Sequence, residues 1–175
     1  MKRRPSWMHT VVLLLLLVGT VGCDRVTKRV AADVLSDSAP RTFASGMVRL
    51  EYAENSGGFL GIGTNWSQEA RTAVFSVGNS LLLLALMLVA LREGWSGPSL
   101  VGLTLFVAGG ASNLFDRIAQ GSVVDFMNVG VGSLRTGIFN VADVAIMLGM
   151  ILTVSDGFFS RRRVQLQARP SDDAD

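Results

Sequence analysis

Charged residues are scarce in this 175-residue chain, at 17% against 49% hydrophobic residues, whereas a soluble domain averages roughly 25% charged residues. Three stretches contain no charged residue at all: 5–23 (19 residues), 72–91 (20 residues) and 94–115 (22 residues). A bilayer core about 30 Å thick needs roughly 20 apolar residues of helix, so each stretch is long enough to cross a membrane. The scarcity of charge therefore argues against a soluble single domain.

Cysteine and histidine occur only once each, as Cys23 and His9. A single cysteine excludes an intramolecular disulfide and a thiolate metal cluster. A single histidine beside the first apolar run is better explained by a position at the membrane interface than by metal binding. The net charge of +2 does not indicate nucleic acid either, because the basic residues cluster beside apolar runs rather than among aromatic residues on a polar surface.

A fourth apolar run, 136–155, has 20 residues and one charge, Asp143. We therefore predict a mainly α membrane protein with four transmembrane helices, at about 8–28, 72–91, 97–117 and 137–157. Residues 1–160 would form a single membrane domain, with an insert at about 30–70, a loop at about 119–136, and a basic, then polar tail at 161–175.

The orientation is predicted from lysine and arginine residues near the ends of the spans. Eight basic residues fall on each side, so their number alone is indecisive. Those on one side are concentrated in two short tails and one tight turn: Lys2, Arg3, Arg4, Arg92, Arg161, Arg162, Arg163 and Arg169. This concentration predicts that both termini are cytoplasmic and that the insert and the loop are extracytoplasmic.

The polar insert carries a strand pattern at 47–54, where Val48, Leu50 and Tyr52 alternate with Arg49 and Glu51. Alternation with a period of two is typical of a half-buried strand. A glycine-rich stretch, 55–63, follows and suits a tight turn, while 122–131 could supply further strands. We expect a small β-sheet resting on the membrane face.

The beginning of the chain allows a second interpretation. Basic residues precede an apolar run, and Thr20-Val21-Gly22-Cys23 is similar to the motif at which bacterial lipoproteins are lipidated and cut. On that hypothesis the chain would itself be a lipoprotein anchored through Cys23. Thr20 matches the motif poorly, and the remainder is predicted to cross the membrane several times, so we favour an uncleaved first span.

Polar residues recur where the third and fourth spans meet the membrane boundary. Asn113, Asp116 and Arg117 share a helical face at the end of the third span, and Asn140 and Asp143 share one at the start of the fourth. A charge inside a span costs about 2.5–3.5 kcal/mol on insertion scales, and such groups usually face the bundle interior and mark function. Asp143 is therefore a candidate functional residue.

Two carboxylates in contact would share one proton and could supply both an acid and a base. Asp125, between Val124 and Phe126, is the candidate partner of Asp143 because its apolar neighbours indicate burial. Asp116 is the rival, although the adjacent Arg117 favours a structural ion pair there.

Two further alternatives remain open at this point. Asp24 and Lys28 stand one helical turn apart and could form a salt bridge or orient a substrate backbone. A proton-coupled transporter would also place carboxylates in spans, but its ionisable residues usually lie near the midplane, unlike Asp143.

The chain closely resembles the bacterial lipoprotein signal peptidases, or type II signal peptidases. The resemblance rests on five motifs that occur in order: Asp24-Arg-Val-Thr-Lys28, Glu54-Asn55-Ser-Gly57, Asn113-Leu-Phe-Asp116-Arg117, Val124-Asp125-Phe126 and Asn140-Val-Ala-Asp143. It implies that Asp125 and Asp143 are the catalytic aspartates. It further implies that Asn113, Asp116, Arg117 and Asn140 support them, and that Asp24, Lys28, Asn55, Gly57 and Gly109 lie near the substrate groove.

The resemblance also implies an aspartic endopeptidase of the inner membrane that cuts diacylglyceryl-modified prolipoproteins just before the lipidated cysteine. Its active site would be at the extracytoplasmic face, beside a β-cradle formed by the insert. The enzyme would be monomeric, would contact membrane lipid, would use no metal or cofactor, and would be inhibited by globomycin-type cyclic peptides. One departure is Gly58-Phe59-Leu60 after Gly57, where the family commonly has Ala-Ala-Phe.

Overall fold

The computed structural model describes residues 7–58, 62–93 and 95–167, with the backbone alone at 91 and 160–167. The elements, in chain order, are α1 (Trp7–Leu35), β1 (Arg41–Phe43), β2 (Val48–Asn55), α2 (Gln68–Arg71), a π-helical segment (Thr72–Gly78), α3 (Asn79–Glu93), α4 (Gly97–Gln120), β3 (Val123–Val131), β4 (Leu134–Arg135) and α5 (Val141–Gln167).

Within the described residues, four helical stretches are long and apolar enough to cross a membrane: Trp7–Leu35, Gln68–Ala90, Gly97–Gln120 and Val141–Phe159. The second consists of α2, the π-helical segment and most of α3. Large apolar side chains on these helices are exposed, among them Leu14, Leu81 and Ile151. Such surfaces are typical of contact with lipid, and the predicted four-helix membrane architecture is confirmed.

The order of the elements determines which helix ends meet. The sheet strands connect α1 to α2 and α4 to α5, whereas α3 and α4 are joined directly. The ends of α1 and α4 and the beginnings of α2 and α5 therefore lie at one end of the bundle, next to the sheet. All the polar motifs of the sequence belong to this end.

Two helices, α1 and α5, extend furthest beyond the predicted spans. α1 continues to Leu35 because Ala31 and Leu35 are buried against Phe126 of β3, so tertiary contact extends the helix beyond its membrane-spanning part. α5 continues to Gln167, into the segment predicted as a tail, and no glycine or proline interrupts the chain between Gly157 and this point.

The four strands form one antiparallel sheet in the order β1-β2-β3-β4. The strands predicted at 47–54 and 122–131 correspond to β2 and β3, which pair through Leu50 with Met127 and Glu54 with Val124. The register shifts between Leu50 and Ala53, which places Ala53 opposite Asp125. The edge strand β1 has only three residues, too few to show a period in the sequence.

The helices α4 and α5 approach closely because glycines face each other. A Cβ atom on Gly149 would lie 2.6 Å from the backbone nitrogen of Phe106, and one on Gly102 would lie 2.7 Å from the carbonyl oxygen of Gly149. Small residues allow such approach in membrane bundles. The contact brings the end of α4 beside the first turn of α5.

We predict that Gly149→Ala lowers the stability of the folded protein, because the added methyl group forces the two helices apart. Overpacking of this kind costs about 1–3 kcal/mol. The thermal unfolding midpoint of the purified protein in detergent measures the effect.

Gly157→Ala is the matched control, since Gly157 lies on the same helix and no atom of the described residues lies within 4 Å of an added Cβ. Its midpoint should be unchanged or slightly higher, because alanine favours a helix over glycine by about 1 kcal/mol. Equal midpoints for the two variants would contradict the close packing of α4 on α5.

Candidate active site

Asp143 lies in the first turn of α5 and is fixed there by Asn140, the residue before the helix. The backbone N–H of Asp143 donates to Asn140 Oδ1 at 3.0 Å, and the backbone N–H of Asn140 donates to Asp143 Oδ2 at 3.2 Å. This reciprocal pair has the geometry of a capping box. The carboxylate consequently sits at a helix N-terminus, where the helix dipole favours negative charge.

Asp125 reaches the same place from β3. Its Oδ1 accepts a hydrogen bond from Asn140 Nδ2 at 2.6 Å, and its Oδ2 accepts one from Asn55 Nδ2 at 2.9 Å. Asp125 is only 2% exposed. The Asn140 side chain thus contacts both aspartates, which the sequence separates by 18 positions.

The surroundings of Asp125 favour its protonated form. Burial raises the pKa of the Asp125 carboxyl to about 6, and the negative charge of Asp143 acts in the same direction. Hydrogen bonds from Asn55 and Asn140 and the charge of Lys28 lower this pKa without cancelling the effect of burial. The Asp125 carboxyl therefore keeps its proton to a higher pH than an ordinary aspartate does, and the charge of Asp143 contributes to this.

Asn113 connects Asp125 and Asp143, which we call the acid pair, to a buried ion cluster. Its Nδ2 donates to Asp143 Oδ1 at 2.9 Å, while its Oδ1 accepts from Lys28 Nζ at 2.7 Å and from Asn140 Nδ2 at 3.3 Å. The predicted polar faces of the third and fourth spans therefore meet inside the bundle.

The ion cluster consists of three buried residues, Lys28, Asp24 and Asp116, with the partly exposed Arg25 at its edge. Lys28 Nζ lies 2.7 Å from Asp24 Oδ2 and 2.7 Å from Asp116 Oδ2, and Arg25 donates to the other oxygen of Asp116. The expectation that Asp116 pairs with Arg117 is wrong, because the side chains that face it come from α1.

Asp24 fastens α1 to both neighbouring helices. It is fully buried and accepts hydrogen bonds from Ser112 Oγ on α4 at 2.7 Å and from the backbone N–H of Ala142 on α5 at 2.8 Å. Of the two interpretations of Asp24 and Lys28, the structure contains the salt bridge. Gly109 belongs to the same junction, since a Cβ atom there would collide with the Ala142 carbonyl.

Arg117 holds the turn that follows β2. Its Nε and Nη2 donate to the Gly57 carbonyl oxygen at 3.1 and 2.6 Å. Asn55 holds the same turn from the other side, because its Oδ1 accepts from the N–H of Gly57 and its Nδ2 donates to the Gly58 carbonyl, both at 2.9 Å. A side chain at Gly57 would collide with the Ile62 carbonyl. Phe59 and Leu60, which carry the departure from the family motif, lie outside the described residues.

Asp143 lines a cavity of about 450 Å³. Asn113, Arg117 and Asp143 form its polar end, and the other walls come from the second span, α4 and α5. The main apolar lining residues are Val74, Phe75, Leu82, Phe106, Ile146, Met147 and Met150. Several of these side chains are also exposed on the outside of the helix bundle. The cavity therefore opens sideways, on the surface of the bundle that faces lipid.

Three residues of the site were not predicted from the sequence: Arg25, Ser112 and Phe75. Arg25 bonds to Asp116 and lies over the Phe115 ring at 4.6 Å, and Ser112 bonds to Asp24. Both are adjacent in sequence to predicted site residues, which is the only signal that could have identified them. Phe75 lies 5.9 Å from the Arg117 guanidinium and has no such neighbour.

The fold has close counterparts among solved structures. One, described as a bacterial membrane enzyme structure determined by the in meso method at 2.3 Å resolution, has a TM-score of 0.78 over 99% of both chains at 22% identity. A second such structure, at 1.9 Å resolution, has a TM-score of 0.73 over 89% of this chain and 96% of its own. At these identities the likeness shows the fold alone.

Similarity in sequence is more specific. The model of the family described as signal peptidase (SPase) II matches residues 14–159. A lipoprotein signal peptidase of Desulforapulum autotrophicum is 34% identical over 88% of this chain and 98% of its own length. Another, from Chlorobium phaeovibrioides, is 32% identical over 79% of this chain and 85% of its own. The chain therefore belongs to the signal peptidase II family, the membrane proteases that process the signal peptides of lipoproteins.

Proposed function

We propose that the chain cleaves diacylglyceryl-modified prolipoproteins immediately before the lipidated cysteine, with Asp125 and Asp143 as the acid–base pair. The observation that carries this proposal is the hydrogen bonding of both aspartates to Asn140, with Asp143 lining a cavity that opens at the membrane face.

Hydrolysis would use one ionised and one protonated aspartate. The ionised carboxylate removes a proton from a water molecule, whose oxygen attacks the scissile carbonyl carbon, while the protonated partner donates its proton to the carbonyl oxygen. The tetrahedral intermediate then breaks its C–N bond. The leaving amine takes the proton from the carboxyl that received it from water, and a hydroxyl of the intermediate returns a proton to the other aspartate, which restores the pair. The pKa of about 6 for Asp125 supports this division of roles.

The cavity suits a substrate that arrives from the bilayer. Its apolar walls would contact the substrate's membrane helix and acyl chains, and its polar end would contact the scissile peptide. Asn113 and Asn140 hold the acid pair from inside the bundle, and Asn55 and Arg117 place the turn at Gly57 beside it.

The proposal includes the position of the enzyme in the cell. Arg92, at the opposite end of the bundle from the sheet, and the arginines at 161–163 would face the cytoplasm of the bacterial inner membrane. The acid pair would then act at the extracytoplasmic face, with the sheet as the β-cradle. We further propose that the enzyme acts as a monomer without a cofactor, and that globomycin-type peptides inhibit it by occupying the cavity.

Asp125→Asn and Asp143→Asn should each reduce cleavage by about 10²–10⁴-fold, the usual contribution of general acid–base catalysis, while the protein stays folded and inserted. An electrophoretic shift assay on a diacylglyceryl-modified precursor in lipid vesicles measures the loss. Asp33→Asn is the matched control, because Asp33 is an exposed carboxylate on α1, and it should cleave normally. Near wild-type turnover in either active-site variant would refute the assignment.

The pH dependence of kcat/KM should follow the proton that the pair shares. Because the pKa of Asp125 is raised to about 6, kcat/KM should fall as the pH rises above this value and the free enzyme loses that proton. Asn55→Ala removes a hydrogen bond that lowers this pKa, so the descending limb should move to higher pH. A limb that stays in place or moves to lower pH would exclude Asp125 as the titrating group.

Asp116→Asn should act through stability instead. Lys28 would stay buried with Asp24 but lose one of its two carboxylates, which corresponds to the lower end of the about 3–5 kcal/mol lost when a buried pair is broken. Less folded protein in detergent, with normal turnover by the remainder, is the expected result. Arg25→Gln is the milder comparison, because the Arg25 side chain is 38% exposed. Normal stability with lost turnover would instead place Asp116 in the catalytic machinery.

A further inference from the structure

A second cavity, of about 250 Å³, lies between the last turns of α1 and the sheet. Among the described residues its lining is apolar apart from one threonine and one arginine. Its lining includes Thr27, Val30, Val34, Arg41, Phe43 and Phe126. We refer to it as the α1 groove.

The α1 groove is separate from the cavity that Asp143 lines. None of the residues that the structure describes lines both. Phe126 follows Asp125 in β3, and successive side chains of a strand point to opposite faces. Asp125 accordingly bonds to Asn140, whereas Phe126 packs against Ala31 and Leu35 of α1. The groove therefore lies behind the strand that carries Asp125.

The α1 groove is continuous with the surface of α1 that faces lipid. The 29 residues of α1 extend over about 44 Å, more than the roughly 30 Å of a hydrocarbon core, so the last turns reach the level of the headgroups. Val26, Val30 and Val34 recur at every fourth position and are 64%, 54% and 42% exposed. This apolar stripe leads from the membrane-spanning part of α1 into the groove.

Arg41 provides a cation at the rim of the α1 groove. It is exposed in β1, and none of the residues that the structure describes forms a hydrogen bond or ion pair with its side chain. An arginine at headgroup level pairs well with phosphate oxygens. The groove therefore matches both parts of a phospholipid. Its apolar walls suit an acyl chain, and the free guanidinium at its rim suits a phosphate.

We propose that the α1 groove binds one glycerophospholipid of the surrounding membrane, with an acyl chain against Val30, Val34 and Phe126 and the phosphate at Arg41. The bound chain fills the space behind β3 and thereby supports the strand that positions Asp125. A ligand that binds only the folded state raises its stability by mass action, so this lipid stabilises the protein whether or not a substrate is present.

The test uses the purified full chain, freed of lipid in a mild detergent and then supplied with phosphatidylglycerol. Native mass spectrometry should detect an adduct of one lipid per chain, and the thermal unfolding midpoint should rise. A diacylglycerol with the same acyl chains but no phosphate should bind more weakly. Val34→Phe, which fills the groove, and Arg41→Gln, which removes the cation, should each lose the adduct and the rise in midpoint.

Matched controls come from α1 itself. Val26→Phe enlarges an exposed valine of the same stripe outside the groove, and Arg29→Gln removes an exposed arginine that does not line it; both should keep the adduct. Should Val34→Phe fail to fold, Arg41→Gln still decides, because it changes an exposed side chain only. The proposal fails if the wild type shows no one-to-one adduct or if Arg41→Gln retains it unchanged. It also fails if an excess of diacylglyceryl precursor displaces the phospholipid, since the occupant would then be the substrate.

Discussion

The buried ammonium group of Lys28 is held by Asp24, Asp116 and Asn113 at the point where three membrane helices meet. A charge withdrawn from water is tolerated only when charged and polar partners surround it. Here those partners come from α1 itself and from α4, and Asp24 adds a bond to the backbone of α5. The positions of all three helices, and of the site residues that they carry, therefore depend on this one group.

The same ammonium group determines how the amide side chains present themselves to the acid pair. Because Asn113 Oδ1 accepts from Lys28, its Nδ2 is directed toward Asp143. Asn140 is oriented in a similar way, since its Oδ1 accepts from the backbone of Asp143 and its Nδ2 is then available to Asp125. A chain of oriented dipoles thus runs from a fixed positive charge to two buried carboxylates. In such surroundings each hydrogen bond is stronger than in water.

Patterns of charge and period predicted the parts of the structure that depend on local sequence. The four spans followed from the absence of charge, β2 from its alternation, and the buried position of Asp143 from the cost of a charge in a span. The extension of α1 to Leu35 was not predictable, because it depends on packing against Phe126. The pairing of Asp116 with Lys28 and Arg25 was missed for the same reason: spacing along one helix shows which residues share a face, but not which helix packs there.

The π-helical segment Thr72–Gly78 bears on how the shape of the cavity that Asp143 lines could change between related proteins. A π turn contains one residue more than an α turn, and each residue turns an α-helix by about 100°. The cavity is lined by Val74 and Phe75 of the segment and by Leu82 of α3. The extra residue of the π turn therefore sets the direction in which Leu82 points relative to Val74 and Phe75. Deleting a single residue here would rotate every later side chain of the span, and the shape offered to the substrate would change without any substitution in it.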